Sequence, residues 1–209
     1  CAVRALESAS AGRSTRALGN FQMRGWYIVA LLVGLIMRWD GVEAATPDQC
    51  ARLIPSDVAA LLVKAYSGYR LPRASDNLEE DIVTSRNNGG SGCLGVAVAD
   101  FSGSGKPGVA VLMTALKGSG FVVAVALFRT GSWHVAEIYR EREGRSSQYI
   151  ESVAPGRYDH VETYEPNKSK GELEYLNCLH SGFMTGTFEA SGDVFCIAKG
   201  RWQHVPVID

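Results

Sequence analysis

The sequence predicts an α+β domain in which an N-terminal helix packs on a predominantly antiparallel β-sheet built from two four-stranded meanders. Three observations carry this prediction. One helical stripe lies between Pro55 and Gly68, four strand-like runs lie between Leu94 and Tyr139, and four more lie between Glu172 and Ile208.

The helix reads from "PSDVAALLVKAYSG". Ser56 suits an N-cap, Asp57 suits the first turn, and Gly68 suits the end. Val58, Leu61, Leu62, Ala65 and Tyr66 recur at helical spacing and predict a core-facing stripe. A weaker helical pattern covers Asp76–Arg86, and "NNGGSG" (Asn87–Gly92) interrupts regular structure.

From Leu94 the period changes. "LGVAVAD", "GVAVLMTA", "FVVAVALF" and "SWHVAEIY" are short Val-rich and aromatic runs separated by Gly-containing turns. "SGSGKP", "KGSG" and "RTGS" are short enough to close antiparallel hairpins. The second set is "ELEYLNCL", "FMTGTFEA", "DVFCIAK" and "RWQHVPVI", with turns at "HSG", "ASG" and "KG". "GSWHV" and "GRWQHV" echo each other, which fits two hairpins that each follow Gly with a large sheet-facing aromatic. Between the sets, Ser152–Gly171 shows no clear period. Long irregular stretches in compact domains are often functional, so a partner-binding surface is expected there.

The organisation along the chain is equally legible. Residues 1–22 read as an upstream or non-native segment, and residues 23–44 as a signal peptide: Arg24, an apolar core Trp26–Met37, then small residues near Ala44. A twelve-residue apolar helix reaches only ~18 Å, against about 30 Å of hydrocarbon, so no stable span is expected once the leader is removed. Residues 45–209 are expected to form a single exported domain, periplasmic or secreted. Residues 1–44 hold five of the chain's 21 Lys and Arg and three of its 22 Asp and Glu, which leaves 16 against 19, a net of −3. No basic stripe of the kind that tracks nucleic acid is present.

Cys50, Cys93, Cys178 and Cys196 remain after the leader, an even set without C-x-x-C spacing, and this predicts two disulfides. Pairing Cys50 with Cys93 and Cys178 with Cys196 is favoured, because crossed pairings would make the N-terminal segment reach the second meander twice. The second pair carries a condition. Strands two apart in a flat sheet lie about 9–10 Å from each other, whereas a bridge needs α-carbons within about 7 Å. A bend or a different strand order is therefore required.

The stretch closest to a chemical motif is "DFSGSGKPGVAVLM", Asp100–Met113. A calcium loop needs oxygen ligands at alternate positions and a closing acid. Asp100, Ser102 and Ser104 take the first three such places, but Val111 stands where the bidentate Glu belongs. Asp100 reads as a turn-capping acceptor, and no metal or cofactor is expected. The same residues resemble a single FG-GAP or VCBS-type repeat of extracellular bacterial proteins. Asp100, Gly103, Gly105 and the strand "VAVLM" agree with the repeat, while Ser102, Ser104 and Gly108 replace its usual Asn, Asp and Asp. The resemblance implies a strand–turn–strand element of exported proteins and does not carry calcium binding over. The layout of leader, single copy and closing "GRWQHVPVID" is similar to that of small exported bacterial proteins of unknown function, and transfers no activity.

No assembled reaction centre is legible. His134, His160, His180 and His204 form neither H-x-x-x-H nor H-E-x-x-H, and no G-x-S-x-G or P-loop occurs. Tyr158, Asp159, His160 and Glu162 cluster an imidazole between acids and form the candidate surface site. The expectation is an exported, disulfide-stabilised binding or accessory module, of the inhibitor or immunity type, acting on another envelope or secreted protein. The alternatives are an envelope hydrolase using dispersed Asp, Glu or His, and a calcium-stabilised module.

Overall fold

The computed structural model describes residues 48–161, 173–188 and 190–207. The expected upstream segment and leader, and Glu162, lie outside the described residues. The chain enters through a short helix, α1 (Gln49–Leu53), capped by the Asp48 carboxylate, which accepts from the Cys50 N–H at 2.9 Å. Five residues are too few to display a period, and the sequence reading misses this helix.

Helix α2 (Ser56–Ala65) is the predicted one, with its start and end corrected. Pro55 holds the N-cap position without a side-chain cap, and Ser56 is already helical. The helix ends at Tyr66, whose N–H bonds the Leu62 carbonyl, before Gly68 is reached. Asp57 lies in the first turn as expected, and accepts from the Val58 N–H at 2.9 Å and from the Trp133 indole at 2.7 Å, which ties the helix to a strand. Val58 and Leu62 are buried, whereas Leu61 is exposed, so the core stripe is narrower than the period suggests. The second helical pattern divides into a 3-10 turn at Ala74–Asp76 and helix α3 (Glu79–Asn87). Three acids in the first turn of α3 and Arg86 in its last complement the helix dipole.

The first sheet contains β1 (Tyr69–Arg70), β2 (Val96–Ala99), β3 (Gly108–Ala115), β4 (Phe121–Arg129) and β5 (Ser132–Glu141). It is antiparallel in the order β1-β3-β4-β5, and β2 shares with β1 the edge of β3 that faces away from β4. The second sheet is β11 (Arg201–Val207), β10 (Ser191–Ala198), β9 (Gly182–Thr187) and β6 (Gln148–Val153), in that order. A separate two-stranded ribbon pairs β7 (Gly156–Asp159) with β8 (Tyr175–Cys178). The antiparallel α+β character thus stands, but the two four-stranded meanders are corrected. The first sheet gains β1. In the second sheet, β6 takes the place expected for the run containing Tyr175–Cys178, which pairs with β7 instead. Both β6 and β7 arise from chain whose local pattern is polar or irregular.

Alternation along the strands sorts the core into three bodies. Val109, Val111, Met113, Val122, Ala124 and Ala126 face the helices with Cys50, Ile54, Val58 and Leu62. Ala110, Leu112, Phe121, Val123, Val125 and Leu127 face the second sheet, against Ile150, Phe183 and Phe195. The far side of the second sheet packs Met184, Val194 and Val205 against Ile82 of α3 and Leu176 of β8. Strands β3 and β4 are therefore buried on both faces, which explains their nearly unbroken apolar runs. The hairpins β4–β5 and β10–β11 turn through Thr130-Gly131 and Lys199-Gly200, all at positive φ, the two-residue geometry that matches strand twist.

Cys50 is bonded to Cys93 and Cys178 to Cys196, with α-carbons 5.1 and 5.8 Å apart. The condition on the second pair is met by strand order. Cys178 sits on the ribbon and Cys196 on the second sheet, so the bridge crosses between layers rather than along one sheet.

Candidate binding cleft between the two sheets

Ile150 donates its N–H to the Leu94 carbonyl at 2.9 Å, which ties the second sheet to the chain just before β2. Away from that junction, between β5 and the inner face of β9–β11, lies a cleft of about 520 Å³. Antiparallel register builds its walls. Phe195 is the cross-strand partner of both Phe183 and His204. The three rings stack in a row, with centroids 5.2 Å apart for Phe183–Phe195 and 5.0 Å for Phe195–His204. Tyr139 reaches from β5 and stacks on Phe195 at 5.7 Å. Its placement follows from an irregularity: the β4–β5 register shifts between Val123 and Ala124, so Ile138 and Tyr139 both contribute to the core between the sheets. Trp202 packs on Phe183 and Phe101 and completes the aromatic wall.

Polar groups converge on this wall. The Tyr139 hydroxyl lies 3.2 Å from the hydroxyl of Thr185, which is 1% exposed. Burial raises the Tyr139 phenol above its ordinary value, the Thr185 hydrogen bond opposes this, and the charges of Asp193 and Glu141 raise it further. The phenol therefore stays protonated at neutral pH, and either hydroxyl of the Tyr139–Thr185 pair can donate to the other. His204 approaches the Asp193 carboxylate at 3.5 Å. Glu141, Glu143, Gln148 and Gln203 also line it. A cleft of this size, with an aromatic floor and a few converging polar groups, has the build of a ligand site.

The candidate surface site is only partly assembled. Tyr158 and Asp159 lie on β7 and His160 follows it. The Tyr158 hydroxyl donates to the Ala154 carbonyl at 2.6 Å. The exposed Asp159 carboxylate pairs with Arg157 at 2.8 Å. The His160 backbone N–H bonds the Glu174 carbonyl at 2.9 Å. None of the three borders the cleft.

The Asp100 turn has a clear internal account. One carboxylate oxygen accepts from the backbone of Ser102 and Ser104 at 3.3 and 3.1 Å, and the other from Gly105 at 2.7 Å. Desolvation is the largest single influence and raises its pKa, but the N–H groups of Gly105, Ser104, Ser102 and Gly103 together outweigh it, and the carboxyl sits below its ordinary value. Gly103, at φ 70°, lies under the His180 ring, which a β-carbon there would approach within 2.1 Å. Among the described residues, no group of three or more His, Cys, Asp or Glu is placed to hold a metal ion. No described helix is long and apolar enough to cross a membrane.

A second polar assembly is centred on the buried Arg145 and Asp76 side chains. Arg145, 3% exposed, donates to Thr114 at 3.1 Å, to the Asn77 side-chain oxygen at 3.1 Å and to the Gln148 carbonyl at 3.3 Å. Its Nη2 lies 3.8 Å from Asp76, which also accepts from both terminal nitrogens of Arg70 at 2.8 and 2.5 Å and from Thr114 at 3.0 Å. This network joins the 3-10 turn, β1, β3 and β6, and reads as structural.

The sequence reading misses the cleft residues Tyr139, Glu141, Asp193, Phe195 and Trp202, and treats His204 as an isolated imidazole. Alternation within "DVFCIAK" and "RWQHVPVI" does place Asp193 and Phe195, and Trp202 and His204, on common faces. Which faces meet across two sheets is a property of strand order. Compared with protein-family models, curated proteins and solved structures, the chain gives no significant match to any of the three.

Proposed function

We propose that this chain is an exported, disulfide-stabilised binding or accessory module, of the inhibitor or immunity type, which engages a protein partner through the cleft between its sheets. The observation that carries this reading is the cleft itself: an aromatic floor of Tyr139, Phe195, Trp202 and His204 beneath a polar rim. Two intramolecular disulfides support an oxidising compartment, periplasmic or extracellular. The Asp100 turn, capped by backbone N–H groups, supports the FG-GAP-type resemblance at the level of a strand–turn–strand element. The rival hydrolase reading gains little, because Asp159 is engaged by Arg157.

The test is capture from cell-envelope extract and culture fluid by the immobilised full chain and by Asp193→Trp, which fills the rim. The reading expects a protein retained by the wild type and lost by a folded variant. Identical capture by both, or capture by neither, contradicts it.

A further inference from the structure

The rim of the cleft has one sign of charge. Glu141 and Glu143 reach it from the end of β5, and Asp193 faces them from β10. No lysine or arginine is among its lining residues, although the whole chain is nearly balanced at −1. The negative field is thus local. Its convergence is visible at Tyr139, where Asp193 and Glu141 act on the same phenol.

Beneath these charges lie ring surfaces, and the two features call for one kind of side chain. Lysine and arginine lay an apolar stem along hydrophobic surface and keep a charged head at its margin. An apolar partner would cover three carboxylates without pairing them, at a desolvation cost. An acidic partner would meet like charge at close range. β5 also ends its sheet, and among the described strands none pairs with its outer side. Its backbone groups can therefore align an extended segment, the strand-addition mode of peptide recognition.

Resting on the binding-module reading, we infer that the cleft receives a lysine- or arginine-bearing extended segment of the partner protein. The apolar stem lies along Tyr139, Phe195 and Trp202, and the cationic head meets Asp193, Glu141 and Glu143.

The test titrates the full chain, with both disulfides intact, into three fluorescein-labelled heptapeptides and reads anisotropy. Glycine alternates with lysine in the first, glutamine in the second and glutamate in the third. The lysine peptide is expected to bind about tenfold tighter than the glutamine peptide, and the glutamate peptide weakest. Added salt should weaken the lysine complex. Glu141→Gln and Asp193→Asn should each weaken it by about threefold. Glu80→Gln, on α3 behind the second sheet, removes the same charge and should change nothing. Equal affinity for the lysine and glutamine peptides, no binding of the lysine peptide, or unchanged affinity in both rim variants overturns the inference. Those results combined with partner capture that Asp193→Trp abolishes would leave the binding-module reading standing. Loss of that capture contrast would remove the reading and the inference together.

Discussion

Replacing Asp76 by alanine should be among the most damaging single changes in this protein, and the size of the loss follows from its surroundings. The carboxylate is 6% exposed and compensates two arginines of very different burial. Arg70 is 32% exposed and can turn to water when its partner is removed. Arg145 is 3% exposed, and burial pushes its guanidinium down to about 10 while the Asp76 charge opposes that shift. At neutral pH the guanidinium stays charged, so Asp76→Ala leaves a buried cation with neutral partners only. Breaking a buried pair in this way costs about 3–5 kcal/mol. In a domain of this size each kcal/mol is worth about 2–4 °C, so the melting midpoint should fall by about 6–20 °C. Arg70→Ala should cost only about 1 kcal/mol, because its pair is partly solvated.

The pH dependence has a definite sign. Desolvation raises the Asp76 pKa, but Arg70, the Arg73 N–H, Thr114 and Arg145 together bring it below 3.8. A depressed folded-state value stabilises the fold above the unfolded value, and that contribution disappears as pH falls through the folded one. The difference between wild type and Asp76→Ala should therefore be full at neutral pH and shrink below pH 3.8. Urea unfolding followed by circular dichroism across this range measures it. A loss under about 1 kcal/mol at neutral pH, a size normal for an exposed pair, would refute the reasoning. So would a loss no larger than that of Arg70→Ala.

Four further outcomes are expected. Opening the Cys50–Cys93 bridge, with a sequence separation of 43, should cost about 4 kcal/mol, and opening Cys178–Cys196, with 18, about 3 kcal/mol, by loop-closure entropy; Cys→Ser pairs and non-reducing peptide mapping check both. Gly182→Ala should cost about 1–3 kcal/mol, because its β-carbon would meet the Phe195 carbonyl at 2.4 Å with Cys196 and Val153 behind it; chemical denaturation that found no loss would contradict this packing. Asp100→Ala should cost about 1 kcal/mol through its turn hydrogen bonds, with the same melting midpoint in calcium and in chelator; micromolar calcium binding by calorimetry would contradict the turn-cap account. Export predicts that secreted material begins near Ala45, and N-terminal sequencing that found Met23 on most of the protein would refute it.

The sequence made the strands legible wherever burial imposed a pattern. β3, β4 and the hairpin turns at Thr130-Gly131 and Lys199-Gly200 are examples, since apolar runs and turn glycines are local signals. It misled where local pattern and pairing part company. Gln148–Val153 holds Tyr149 and Ile150 among polar residues, yet it forms an edge strand because β9 is there to receive it. Tyr175–Cys178 reads as the first strand of a meander, yet its disulfide and its pairing with β7 hold it outside that sheet. Ser56 looks like a cap, but Pro55 already sets the helix entry. The cleft was the least legible feature. It depends on a register shift that brings Tyr139 inward and on His204, Phe195 and Phe183 meeting across three strands.

The central claim is that this cleft is the partner-binding surface, and a photo-crosslinker placed within it tests that claim most directly. A benzophenone-bearing residue at Glu143, on the exposed rim, is compared with one at Lys64, exposed on α2. After irradiation in the presence of envelope extract and culture fluid, the account predicts a discrete crosslinked partner from position 143 and none from position 64. The same adduct from both positions, or an adduct from position 64 alone, would contradict it.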